Sequence, residues 1–143
     1  MAGFIPNEGA ALFAQMRFKP TAVVDRGTNL QLLLFTNPSI TKTITAAQLT
    51  EPTGGGYARK TLTDANWVIA PNTTAVATDG CVSTYPDQTF TPTTGGYTGT
   101  VYGSAIITTG TTPKILWIDY DPGAPLTITA SNAYVVNLKL TDV

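Results

Sequence analysis

Three apolar patterns recur along this chain, and each predicts a different kind of burial. Leu30-Gln31-Leu32-Leu33-Leu34-Phe35 carries apolar side chains on both alternating faces. A strand tolerates this only where material covers both of its sides, so the segment reads as the central strand of a layered fold. Tyr134, Val136, Leu138 and Leu140 alternate with Asn137 and Lys139, the period-two pattern of a strand with one face buried and the other in water. Leu12, Phe13 and Met16 fall at i, i+1 and i+4, which predicts a short helix. Asn7 suits its N-cap, Ile5 can staple its first turn, and Lys19-Pro20 stops it. Residues 1–20 are therefore expected to form an N-terminal arm or short helix beside a β body over 21–143. A helix of two or three turns is marginal alone in water, so it must pack on its own sheet or on another subunit.

The remaining segments alternate over short spans. Strands are expected at Tyr57 to Leu62 and at Trp67-Val68-Ile69, separated by Thr63 to Asn66. Cys81 to Tyr85 follows, with Pro86 as an interruption before Gln88 to Thr91. Thr100 to Thr108, Lys114 to Tyr120 and Leu126 to Thr129 complete the series. Ala46-Ala47-Gln48-Leu49 suits a single helical turn. Asp79-Gly80 is the strongest hairpin signal, and Pro92 to Gly99 and Asp121-Pro122-Gly123 read as turns. Roughly eight or nine short strands at spacings near 8–12 residues define an all-β, antiparallel two-sheet sandwich, expected to be a jelly roll. The strand order is not legible in these patterns.

Composition narrows the chemistry. The chain has no histidine and a single cysteine, Cys81. It therefore lacks the side chain whose unperturbed pKa best suits proton transfer near neutrality, and it can form no internal disulfide. Charged residues make up 12%, about half the usual 25%, and the net charge is −1 with eight scattered Lys and Arg. That leaves no basic patch for phosphate, and no nucleic-acid partner is expected. No apolar run approaches the roughly 20 residues of a membrane helix, and the first residues, Met1 to Glu8, do not read as a signal peptide. Neither a membrane partner nor a cofactor is expected, and synthesis in the cytoplasm is.

Each candidate constellation has a plainer reading. Asp119 and Asp121 share one face of an extended strand and could hold a hard cation or act as acid and base, but Asp-Pro-Gly is an ordinary turn opener. Cys81 has no base to make a thiolate and reads as a buried, inert thiol. Gly54-Gly55-Gly56 lacks the Gly-Lys-Ser/Thr of a phosphate loop and reads as a turn. Trp67, Trp117, Tyr57, Tyr97, Tyr102 and Tyr120 could form a stacking platform for sugar, although aromatics at strand positions are more often core. Asn72-Thr73-Thr74 matches a glycosylation sequon without other signs of secretion. No catalytic, metal or cofactor residue is assigned.

Several segments, taken in order, resemble a family of small tailed-bacteriophage virion proteins. They are Leu32-Leu33-Leu34-Phe35-Thr36-Asn37, Gly56-Tyr57-Ala58-Arg59-Lys60-Thr61-Leu62 with Trp67, Tyr85-Pro86-Asp87-Gln88-Thr89-Phe90-Thr91, Thr100-Val101-Tyr102-Gly103 and Ile115-Leu116-Trp117. The resemblance implies a non-enzymatic structural protein of the virion, most like a capsid cement or decoration protein that bridges and stabilises shell subunits. The alternative it implies is a tail, neck or fibre component, with host glycan as a conceivable ligand. Its partners would be the major capsid protein or other virion proteins, with the chain itself a homo-oligomer or present in many copies. The expected contact residues are Phe4, Ile5, Phe13, Met16 and Phe18; the plainer reading is that they close one end of the protein's own core.

Overall fold

The structure, a computed structural model, describes residues 2–18, 25–71 and 81–142, with the backbone alone for Ala2, Met16, Arg17, Pro71, Cys81, Thr141 and Asp142. In chain order the elements are β1 (Ala2–Phe4), α1 (Asn7–Phe18), β2 (Leu30–Phe35), β3 (Lys60–Leu62), β4 (Val68–Pro71), β5 (Cys81–Phe90), β6 (Thr100–Val101), β7 (Gly103–Ile107), β8 (Ile115–Tyr120), β9 (Leu126–Thr127) and β10 (Tyr134–Asp142). Single turns of 3₁₀ helix occupy Ala46–Gln48 and Asp64–Asn66. The strands form a five-stranded sheet in the order β1-β8-β7-β2-β3, a three-stranded sheet β10-β5-β4 and a small pair β6-β9. Every pairing is antiparallel.

The all-β, antiparallel sandwich expected from the sequence is what forms. Leu32, Leu34, Leu62 and Ile106 on one face of the large sheet meet Tyr85, Phe90, Val136 and Leu138 of the three-stranded sheet in one core. The opposite face of the large sheet is covered too. Leu33, Phe35, Ala105, Ile107, Ile115 and Ile118 pack with Ile44, and Ile40 and Leu49 close over them from the segment after β2. Strand β2 thus carries apolar residues on both faces because both are buried, and Leu32 to Phe35 are sealed from solvent. Each such side chain contributes about 1.5–3 kcal/mol of transfer free energy, before the ordering entropy that offsets most of the total.

Two local features depart from the sequence reading. Pro86 does not interrupt its strand: β5 runs through it. The register against β10 steps from Val136 opposite Gln88 to Leu138 opposite Tyr85, so Pro86 and Asp87 together face Asn137. This bulge takes up a residue that cannot donate to the ladder. It also shifts the side-chain phase by one, which is why Tyr85 and Phe90, an odd number of residues apart, are both buried. Asn137 Nδ2 closes the bulge by donating to Asp87 Oδ1 at 2.9 Å. The second departure is at Tyr102, where the expected strand over Thr100 to Thr108 breaks as the chain passes from the small pair into the large sheet. The Tyr102 N–H donates to the Phe35 carbonyl at 3.0 Å, and its own carbonyl accepts from Asp121 N at 2.9 Å.

Pairing of β2 with β3 ends at Leu32 opposite Lys60, which leaves the Leu34 backbone without a strand on that side. The Tyr57 hydroxyl takes the strand's place. It accepts from Leu34 N at 3.0 Å, lies 3.4 Å from the Leu34 carbonyl and donates to Glu51 Oε2 at 2.9 Å. Arg59 clamps the same carboxylate through Nη2 at 2.6 Å and Nε at 3.0 Å. Burial, with the Glu51 charge beside it, pushes the Tyr57 phenol far above its ordinary pKa, so it stays protonated. Its ring stacks on Phe90 at 6.0 Å and meets Tyr97 edge-on at 5.4 Å. The chain reaches this position through Gly54, Gly55 and Gly56, all with positive φ, a run of left-handed residues that only glycine supports cheaply.

Strands β4 and β5 pair with Pro71 opposite Cys81. The Asp79-Gly80 turn and the Asn72 sequon between them lie outside the described residues, as does the Cys81 thiol.

Candidate interaction face and cavity

The N-terminal segment is stitched into the body. Strand β1 forms the edge of the large sheet, with Phe4 opposite Ile118, and α1 lies against the start of β8. Gly9 makes that approach possible, since a Cβ there would collide with the Ile115 carbonyl and the Leu116 backbone. Asn7 is the first helical residue and does not act as the cap expected of it. The first intrahelical bond runs from Ala10 N to the Pro6 carbonyl, while Asn7 N donates to Lys42 O at 2.8 Å. The sequence reading missed Glu8, which pins the helix. Its Oε1 accepts from Ile115 N at 2.6 Å and Ala46 N at 3.0 Å, and Oε2 lies 3.9 Å from Lys114 Nζ. Nothing local marks this residue, because both amides are distant in sequence.

The five expected contact residues separate. Phe4 is half-buried and packs against the second core. Ile5 and Phe13 are half-buried and line a cavity. Met16 lies on α1, but its side chain is outside the described residues. Phe18 is 75% exposed. Val68 and Ile69 on β4 are also largely exposed. Large apolar residues in such positions mark contact surfaces when they gather.

The cavity has a volume of about 380 Å³ and lies between α1 and the open ends of the two sheets. Leu12 and Phe13 of the helix, Ile106 and Leu116 of the large sheet, and both tryptophans of the chain, Trp67 and Trp117, form its apolar walls. Ile69 reaches its rim, and Arg26 and Asp64, paired at 3.3 Å and both solvent-accessible, border it. Trp67 packs on Tyr85 with ring centroids 5.0 Å apart. Its indole Nε1 is sealed from solvent and has no acceptor among the described residues. The nearby Tyr85 hydroxyl is occupied as acceptor for Thr63 N at 2.9 Å and Asn66 Nδ2 at 3.4 Å.

Asp119 and Asp121, the close carboxylate pair, occupy a strand and the turn that follows it. Asp119 sits half-buried in β8, opposite Gly3 and Ser104. Burial raises its carboxyl above the ordinary aspartate value, and the charge of Asp121 adds to this. Asp121 is held in the turn, where its Oδ1 accepts from Gly123 N at 3.1 Å. Among the described residues no three Cys, Asp or Glu side chains gather to hold a metal. The aromatics do not form a platform, since none of the six is exposed. Tyr57 and Tyr97 pack in the core between the sheets, whereas Tyr102 and Tyr120 lie on the opposite face of the large sheet. Among the described residues no helix is long and apolar enough to cross a membrane. Comparison with protein-family models, curated proteins and solved structures finds no match for this chain.

Proposed function

We propose that this chain is a non-enzymatic structural protein of a tailed-phage virion, acting as a capsid cement that bridges and stabilises neighbouring shell subunits, with the sandwich a jelly roll. The observation that carries this reading is the pairing of a doubly covered sheet with large apolar side chains left in solvent at Phe18, Val68 and Ile69. A shell strained by its packaged genome is strengthened by any protein that holds two neighbours at once. Each contact can be weak, because repetition over the lattice supplies avidity. Low charge suits this role, since the cores of protein interfaces are depleted in charged residues.

Cosedimentation with assembled shells tests the proposal. The purified protein should pellet with shells at micromolar concentration and raise the temperature at which they release DNA. Phe18→Asp with Ile69→Asp should remove both effects while leaving the far-UV spectrum unchanged, because both side chains are exposed. Absence of binding by the folded wild-type chain would sink the cement role. The tail, neck or fibre alternative, with host glycan as ligand, gains no support from the dispersed aromatics.

A further inference from the structure

We infer that a second cavity, the cleft between the two sheets in front of Asp119, is a binding site for a small primary ammonium with a short apolar tail, its head meeting the Asp119 carboxylate and the Ser104 hydroxyl. The site is independent of any role in a capsid.

The cleft has a volume of about 230 Å³, room for about seven heavy atoms at the roughly 30 Å³ that one water takes up in the liquid. Strand pairing fixes its polar wall. Asp119 in β8 lies directly opposite Ser104 in β7, and Ser104 lies opposite Leu34 in β2. Residues so opposed share one face of a sheet, with Cβ atoms about 4.5–5.5 Å apart. Leu34 belongs to the core between the sheets, so Asp119 and Ser104 also face β10, whose Val136 and Leu138 form the opposing wall. On its other side Asp119 is opposite Gly3 in β1. A Cβ on Gly3 would collide with the Trp117 indole, so that ring lies over the Gly3 backbone and lines the cleft beside the carboxylate.

Three properties of these groups define the ligand. The first is that both oxygens are unpaired and reachable. Ser104 is 3% exposed and Asp119 half-buried, yet neither side chain has a hydrogen-bond or ion-pair partner among the described residues. Only Trp67 Nε1 is both sealed and unpaired there, so the Asp119 and Ser104 oxygens keep accessible surface where the two residues line the cleft. The second is charge. Burial raises the Asp119 pKa, the amino-terminal charge draws it back and Asp121 adds to the rise, but no Lys or Arg side chain is among the charges acting on it. Lys139 alternates with the buried Leu138 and is exposed on the outer face of its sheet. A carboxylate withdrawn from water is costly unless a cation pairs with it, so the ligand is a cation. The third is the donor count. A calcium ion takes six to eight oxygens, and no three Cys, Asp or Glu side chains gather among the described residues. An ammonium carries three N–H donors, suits two acceptors side by side, and is attracted to the face of a tryptophan. Leu32, Ile106, Val136 and Leu138 leave an apolar space for a short alkyl tail.

n-Butylammonium and n-butanol test this directly, because they share a tail and differ in the charge of the head. The full chain, labelled with ¹⁵N, has two indole resonances, and the one that persists in Trp67→Phe belongs to Trp117. n-Butylammonium at millimolar concentration should shift that resonance saturably and bind about 10- to 150-fold more tightly than n-butanol, the range for hydrogen bonds to a charged group. Asp119→Asn, which keeps the shape of the side chain, should erase the preference, and Ser104→Ala should weaken n-butylammonium by about 2- to 10-fold. Failure of the folded wild-type chain to bind n-butylammonium, or equal binding of the two probes, would overturn the inference. A preference that survives in Asp119→Asn would also overturn it, by placing the recognition of charge elsewhere on the surface, as would an affinity untouched by Ser104→Ala.

Discussion

At the Leu34 end of strand β2 the polar groups of Tyr57, Glu51 and Arg59 close on one another and on the backbone, and aromatic rings fill the space around them. At the Leu30 end of the same strand lie a cavity, an indole donor without a partner and an exposed Ile69. The two ends share a strand, a sheet face and a solvent, so composition does not separate them. The difference lies in what completes each end. The Tyr57 corner is complete within the chain, while the Trp67 end keeps a void and a buried donor without an acceptor among the described residues.

Four measurements test this contrast, beginning with the largest effect. Leu34→Ala, at the filled end, should cost about 2–5 kcal/mol in urea unfolding, as for a sealed core leucine. Leu30→Ala, on the same face but half-buried beside the cavity, should cost less than half of that. Equal losses would mean that the two ends are packed alike.

Glu8→Ala should cost about 2–4 kcal/mol, because it strips the acceptor from two backbone amides, each worth about 1–3 when left unpaired. Hydrogen exchange should then show α1 opening ahead of the sheets, and protection unchanged in α1 would refute the clamp.

Tyr57→Phe keeps the ring and removes the hydroxyl that stands in for a strand. The expected loss is about 1–3 kcal/mol, with the urea m-value unchanged. A neutral result would show that water replaces the hydroxyl without penalty.

The smallest effect concerns Asp119, whose carboxyl is raised by burial above its ordinary value of 3.8. Its protonated form is therefore favoured by folding. The stability it contributes is full below pH 3.8 and is lost as the pH rises through the higher folded-state value. Asp119→Asn should thus raise the melting temperature slightly at pH 7, and the gain should vanish toward pH 3.5. A gain independent of pH would locate the effect outside titration.

Local pattern alone determined much of this protein. The alternation of Tyr134 to Leu140, the two-faced run Leu30 to Phe35, the helix that carries Leu12 and Phe13 and the turn at Gly54 to Gly56 each follow from spacing or from a backbone demand within a few residues, so neighbours in sequence suffice to specify them. Tertiary structure decided the rest, because it concerns partners remote in sequence. Pro86 stays in its strand only because Asn137 offers a bulge. Glu8 becomes a clamp only when Ile115 and Ala46 present their amides. Trp67 is left without an acceptor among the described residues only once its ring has packed against the core between the sheets. Periodicity states which face of a segment avoids water, but hydrogen bonds and voids depend on which distant groups arrive at that face.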